Sequence, residues 1–210
     1  SHGKGLERDR SEGSLFSSRQ WRQALRHRSP EIFLQRTHSR KATGNRAKER
    51  PRSQATDEPW RMAFSYIYKY FGDNFDYESV PILNLIGKQK LLQVREMIIK
   101  NMNAPLSSGA GRLFDAVSAI MGLCPVATFD SEAPMRLESV INGPTNDFYP
   151  FQVTQTIVFA DAIKAILEDL PKQRISVISA KFHNTVAQVI LEVSRQIRKD
   201  TSLKKVVLSG

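Results

Sequence analysis

The stretch Ser107–Cys124, "SSGAGRLFDAVSAIMGLC", sets Ser107, Ser108, Gly109 and Gly111 ahead of apolar residues at helical spacing, with Asp115 near the start. The pattern predicts a helix over about residues 109–122. It opens two readings of Asp115. The residue stands at the mouth of a nucleotide site, or it is a first-turn acid that suits the helix macrodipole. The Gly109-x-Gly111 pair has no strand before it and no Gly-Lys-Ser after it, which argues against a Walker-type phosphate loop.

Upstream, "TDEPWRMAFSYIYKYFG" reads as a second helix. Thr56 or Asp57 can cap it, Pro59 suits its first turn, and Trp60, Phe64, Ile67, Tyr68 and Phe71 share a face before the Gly72 stop. Trp60, Arg61 and Met62 read as packing at its start. "KQKLLQVREMIIKNMN" and "SEAPMRLESVI" read as helices too, the latter capped by Ser131. In "FQVTQTIVFAD" the period changes, and Phe151, Val153, Gln155, Ile157 and Phe159 alternate as a strand does. Asp161 then caps a helix that Pro171 stops, and "SVISAKFHNTVAQVILEVSRQIRKD" is a long amphipathic helix. "KKVVLSG" reads as a short strand. Helices predominate over strands, an α/β reading of helix-rich α+β type.

The net charge of +10 is unevenly placed. Residues 1–56 hold 14 Lys+Arg against 5 Asp+Glu, whereas residues 57–210 hold 17 against 16. The basic character therefore belongs to the first quarter, which is rich in Arg and Ser and lacks apolar periodicity. Residues 1–56 are read as a basic, disordered or non-homologous tail, and residues 57–210 as the folded part. One cysteine, Cys124, excludes a disulfide framework and reads as core filling. No apolar run approaches the roughly 18 residues of a membrane span, and no signal peptide is recognisable, so a cytoplasmic protein is expected.

Five blocks, "EPWRMAFSYIY", "NAPLSSGAGRLFDAVSAIMGL", "EAPMRLES", "AKFHNTVAQVI" and "VVLSG", occur in an order and spacing that resemble one family. The resemblance is to the C-terminal Kae1-like domain of the HypF family, the hydrogenase maturation carbamoyltransferases. It implies the actin/sugar-kinase superfamily fold over about residues 57–210. It also implies a reaction in which carbamoyl-adenylate, made from ATP and carbamoyl phosphate, passes its carbamoyl group to the C-terminal cysteine of a HypE partner. By the same resemblance, Asp115 matches an acidic residue at the nucleotide ribose. Ser209 and Gly210 match the start of a glycine-rich turn whose N–H groups approach the nucleotide. Ser131 stands where the family carries glycine, in a motif reading Tyr-Glu-Gly-Glu/Gln-Ala-Ala.

The family's divalent metal site uses a His-x-x-x-His pair and acidic residues outside the matched blocks. Here the histidines are His2, His27, His38 and His183, with no two four apart. No metal ligand is assigned, and the chain is expected to be a partial form, incomplete on its own. Residues 1–56 are open to a further reading as out-of-frame sequence, which translation of the other two frames tests. Two other functions stay open: a scaffold whose basic tail contacts nucleic acid, and a relative of the tRNA threonylcarbamoyl transferases. His183 and Asn184 read as a pair holding their helix to a neighbour.

Overall fold

A computed structural model of the chain describes residues 57–102, 109–154, 156–202 and 205–206. Seven α-helices run through the described residues: α1 Pro59–Phe71, α2 Pro81–Ile86, α3 Lys88–Ile99, α4 Ala110–Ile120, α5 Glu132–Ser139, α6 Ala160–Asp169 and α7 Ile175–Thr201. Two 3-10 turns, Gly72–Asn74 and Tyr77–Ser79, link α1 to α2. One antiparallel pair completes the set, β1 Gln152–Val153 with β2 Ile157–Val158.

The hub is α1. Pro59 presets the first turn, where a backbone N–H would lack an intrahelical partner anyway. Trp60, Met62, Ala63, Phe64, Tyr66 and Ile67 are all 2% exposed or less, so the first two turns are buried on every face. Helix α4 covers one side, α2 and α3 another, and α6 a third. Each large apolar side chain so buried contributes about 1.5–3 kcal/mol before entropy is set against it. At the far end Gly72 takes φ +66, a left-handed turn that suits a residue without Cβ, and its N–H closes on the Tyr68 carbonyl. Beyond it the rings of Phe64, Phe71, Phe75 and Tyr77 continue the core, with centroids 5.1 Å apart for Phe64–Tyr77 and 5.4 Å for Phe71–Phe75.

Helix α4 approaches α1 through small residues, Ala116 and Ala119, flanked by Leu113, Val117 and Ile120. Two backbone bonds then tie the start of α1 to the segment after α4. Trp60 N–H donates to the Pro125 carbonyl at 3.2 Å, and Ala127 N–H donates to the Asp57 carbonyl at 2.9 Å. This fixes the turn that carries Asp130 and Ser131 relative to α4.

Several local expectations are corrected. The alternation in "FQVTQTIVFAD" is not one strand. Thr154 N–H donates to the Thr156 carbonyl, and the chain reverses into a hairpin of two residues a side. Asp161 is not the cap of α6. Phe159 holds that position, and Asp161 lies in the first turn, accepting from Gln152 Nε2 at 2.8 Å. Ser131 occupies the N-cap of α5 without capping through its side chain. Helix α2 was missed because six residues are too short for periodicity, although Pro81 at its start and Gly87 at its end mark it. Thr56 lies outside the described residues, as does Gln155. Of "KKVVLSG", Lys205 and Val206 belong to neither helix nor strand, and the remaining five residues lie outside the described ones.

Candidate functional site

Asp115 is the sixth residue of α4, one turn further in than a first-turn acid, so the macrodipole does not account for it. Its partner is Arg112, whose Nη1–H donates to Asp115 Oδ2 at 2.7 Å in a pair only 18% and 11% exposed. Burial pushes the Asp115 carboxyl up to about 6 from an ordinary 3.8. Arg112 opposes that rise, and Asp130 adds to it. Three side chains thus meet electrostatically at the junction of α4 and the turn before α5.

That turn has a built geometry. Ser131 sits at φ +64 and ψ +14, in the left-handed region. The glycine of the resembling motif has a physical reason there, since only glycine adopts this conformation without steric cost. Glu132, 3% exposed, locks the turn by accepting from Thr128 N–H at 2.5 Å and Thr128 Oγ1 at 2.8 Å, and by pairing with Arg136. The backbone and side-chain bonds from Thr128, with Arg136, hold the Glu132 carboxyl down at about 2. Cys124, between α4 and this turn, is fully buried with its thiol 3.4 Å from the Val126 carbonyl. Burial, then the Glu132 charge, push that thiol up, which leaves it a core residue.

The "KFHNT" block of α7 serves as a clamp on the segment before β1. Asn184 Nδ2 donates to the Thr145 carbonyl at 2.6 Å and the Asp147 carbonyl at 3.0 Å. Thr185 Oγ1 accepts the Tyr149 N–H at 2.8 Å, and Tyr149 Oη donates to Asp169 at 2.9 Å. Lys181 donates to the same Asp169 oxygen at 2.7 Å and lies 4.3 Å from the Tyr149 ring centroid. His183 Nδ1 is 2.8 Å from the Ser179 carbonyl, and Ser179 Oγ donates to the Leu137 carbonyl, joining α7 to α5. At the start of α1, Arg61 pairs with Glu58 and lies over the Trp60 ring.

Of the sequence-derived site residues, Asp115 lies on α4, paired with Arg112, while Ser209 and Gly210 lie outside the described residues. Arg112 and Asp130 were missed. Arg112 was signalled by its i,i+3 spacing to Asp115, and Asp130 by standing at the acidic position of the Tyr-Glu-Gly motif. Among the described residues no three His, Cys, Asp or Glu side chains gather to hold a metal ion. The described residues alone supply no donor set for the divalent cation that the resemblance implies. A cleft of about 480 Å³ lies elsewhere, lined by Phe64, Tyr77, Leu83, Leu91 and Arg95, without Asp115. Among the described residues no helix is long and apolar enough to cross a membrane.

Comparison with known families puts this helix-rich α/β unit in the Kae1-like class. The chain belongs to the family of the carbamoyltransferase Kae1-like domain, second subdomain, whose model matches residues 32–210. That match begins upstream of Asp57, where the charge balance changes. Among curated relatives, carbamoyltransferase HypF of Synechocystis sp. is 29% identical over 175 residues, covering 75% of this chain and 22% of the relative. Carbamoyltransferase HypF of Rhodobacter capsulatus is 54% identical over 56 residues, 25% of this chain and 8% of the relative. A solved full-length HypF in its phosphate- and nucleotide-bound form superposes with TM-score 0.67 at 31% identity, covering 75% of this chain and 25% of that one. HypF of T. kodakarensis superposes with TM-score 0.60 at 19% identity, which speaks to the fold alone. The chain thus spans 22% of the Synechocystis relative's length and 25% of the solved full-length HypF.

Proposed function

We propose that the chain acts within a HypF-type carbamoyltransferase of hydrogenase maturation, as the part of the Kae1-like domain that faces the nucleotide. The family match over residues 32–210 carries the reading, and the Asp115 carboxylate gives it a chemical point of contact. A buried carboxylate held by Arg112 accepts hydrogen bonds from the hydroxyls of a ribose. ATP or carbamoyl-adenylate is the nucleotide in this reading, and by the same resemblance Ser209 and Gly210 are assigned to its binding. The carbamoyl group then leaves the adenylate for the thiolate of a HypE-type partner, in the cytoplasm. The divalent metal of the family is assigned to no residue of this chain.

Calorimetric titration of the full chain with ATP tests the reading. Heat is expected with the wild-type protein, and Asp115→Asn is expected to weaken binding about tenfold, the weight of one charge-assisted hydrogen bond. Absence of heat with folded wild-type protein overturns it.

A further inference from the structure

Two influences oppose the charge on Asp115, its burial and the neighbouring Asp130, and one cation, Arg112, supports it. The pair is short, 2.7 Å, and largely hidden from water, so solvent screens it little. Only Oδ2 of Asp115 is engaged by Arg112; Oδ1 makes no hydrogen bond among the described residues. We propose that Arg112 is a positioning residue for Asp115, fixing Oδ2 and leaving Oδ1 as the acceptor for a ligand hydroxyl. For its ligand the inference rests on the nucleotide-facing reading of Asp115; for the Arg112–Asp115 contact it stands on the geometry of the pair.

Charged groups on the surrounding elements are matched elsewhere. Just before α1, Glu58 pairs with Arg61 at 2.5 Å, and on α5, Glu132 pairs with Arg136 at 2.5 Å. On α7, His183 meets Phe114 edge-on at 5.4 Å and is bonded to Ser179. The Cys124 thiol, raised by burial, is uncharged at neutral pH. The balance at Asp115 is therefore set by Arg112 on its own helix and Asp130 on the adjoining turn. Without the guanidinium the carboxyl protonates at a higher pH, and a protonated carboxyl donates where the carboxylate accepted.

Carbon-13 carboxyl shifts of Asp115 followed against pH in the full chain read this directly. Arg112→Gln is expected to raise the titration midpoint by about one pH unit or more, Arg112→Lys to return it toward wild type, and Asp130→Asn to lower it. A purely structural Arg112 predicts no such order among the variants. Overturning results are an unmoved midpoint in Arg112→Gln, or equal shifts in the Gln and Lys variants. If Arg112→Gln does not fold, Asp130→Asn decides, since it alters an exposed turn residue, and an unmoved midpoint there overturns the proposal. The ligand arm compares ATP affinity of the wild-type chain at about pH 5 and about pH 8, with affinity expected to be about tenfold weaker at the lower pH. Absence of ATP binding at both pH values removes the nucleotide reading, while the carboxyl titration still decides the role of Arg112.

Discussion

Tyr149 and Thr185, 36 residues apart in the chain, share a buried hydrogen bond of 2.8 Å from the Tyr149 N–H to the Thr185 hydroxyl. Thr185 Oγ1 in turn donates to the Lys181 carbonyl one turn back, so the hydroxyl is used in both directions. This contact seats the segment before β1 on α7. Thr185→Val leaves the Tyr149 N–H buried without a partner, at a cost of about 1–3 kcal/mol. Tyr149→Phe removes only the bond to Asp169, which keeps Lys181, and costs about 1 kcal/mol. Urea unfolding of the two variants checks the order, and a costlier Tyr149→Phe contradicts the clamp.

Asp115 makes stability depend on pH with an unusual sign. Its folded pKa is about 6, above the ordinary 3.8, so between these values the native state holds a proton that the unfolded chain has released. Stability from this group is complete below about pH 4 and is lost as pH rises through about 6, by roughly 3 kcal/mol in all. Asp115→Asn is expected to abolish that decline. Chemical denaturation at a series of pH values shows it, and parallel profiles for the two proteins contradict it.

Glu132 acts in the opposite direction. Bonds from Thr128 and the Arg136 pair hold its carboxyl at about 2, below the ordinary 4.5. Its contribution is present above about pH 4.5 and is lost as pH falls through about 2. Glu132→Gln is expected to flatten the acid limb of unfolding, followed by circular dichroism from neutral pH downward. An acid limb as steep as that of the wild type rules this out.

Ser131 stands at φ +64, where a Cβ costs about 1–2 kcal/mol. Ser131→Gly relieves that strain, and the greater freedom of glycine in the unfolded chain takes back about 0.5–1 kcal/mol. The net expectation is stabilisation of about 0.5–1 kcal/mol and a melting temperature higher by a few degrees, read by thermal unfolding. A lower melting temperature shows that the serine hydroxyl contributes something the backbone does not reveal.

Much of the helical framework was legible in the chain. Pro59 and Gly72 bracket α1 because proline presets a helical φ and glycine accepts the left-handed exit, both properties of single residues. The start of α4 could be read because glycines precede a clear apolar period. In contrast, "FQVTQTIVFAD" shows alternation whether it runs straight or folds back, and the reversal rests on the turn bond between Thr154 and Thr156. Ser131 looked like a cap by residue type, but the positive φ forced on it by the turn points its role elsewhere.

Residue types and their spacing were enough for the helix-rich class, the placement of Asp115 on α4 and the family resemblance, because periodicity and motif order are local along the chain. Tertiary structure alone decided the state of that carboxylate. Arg112 reaches it because the helix turns, and the charge of Asp130 adds to the effect of burial because α5 and the turn before it, locked by Thr128 and Glu132, pack beside α4. A charge is governed by what stands within a few ångströms of it in space, and the fold sets those distances.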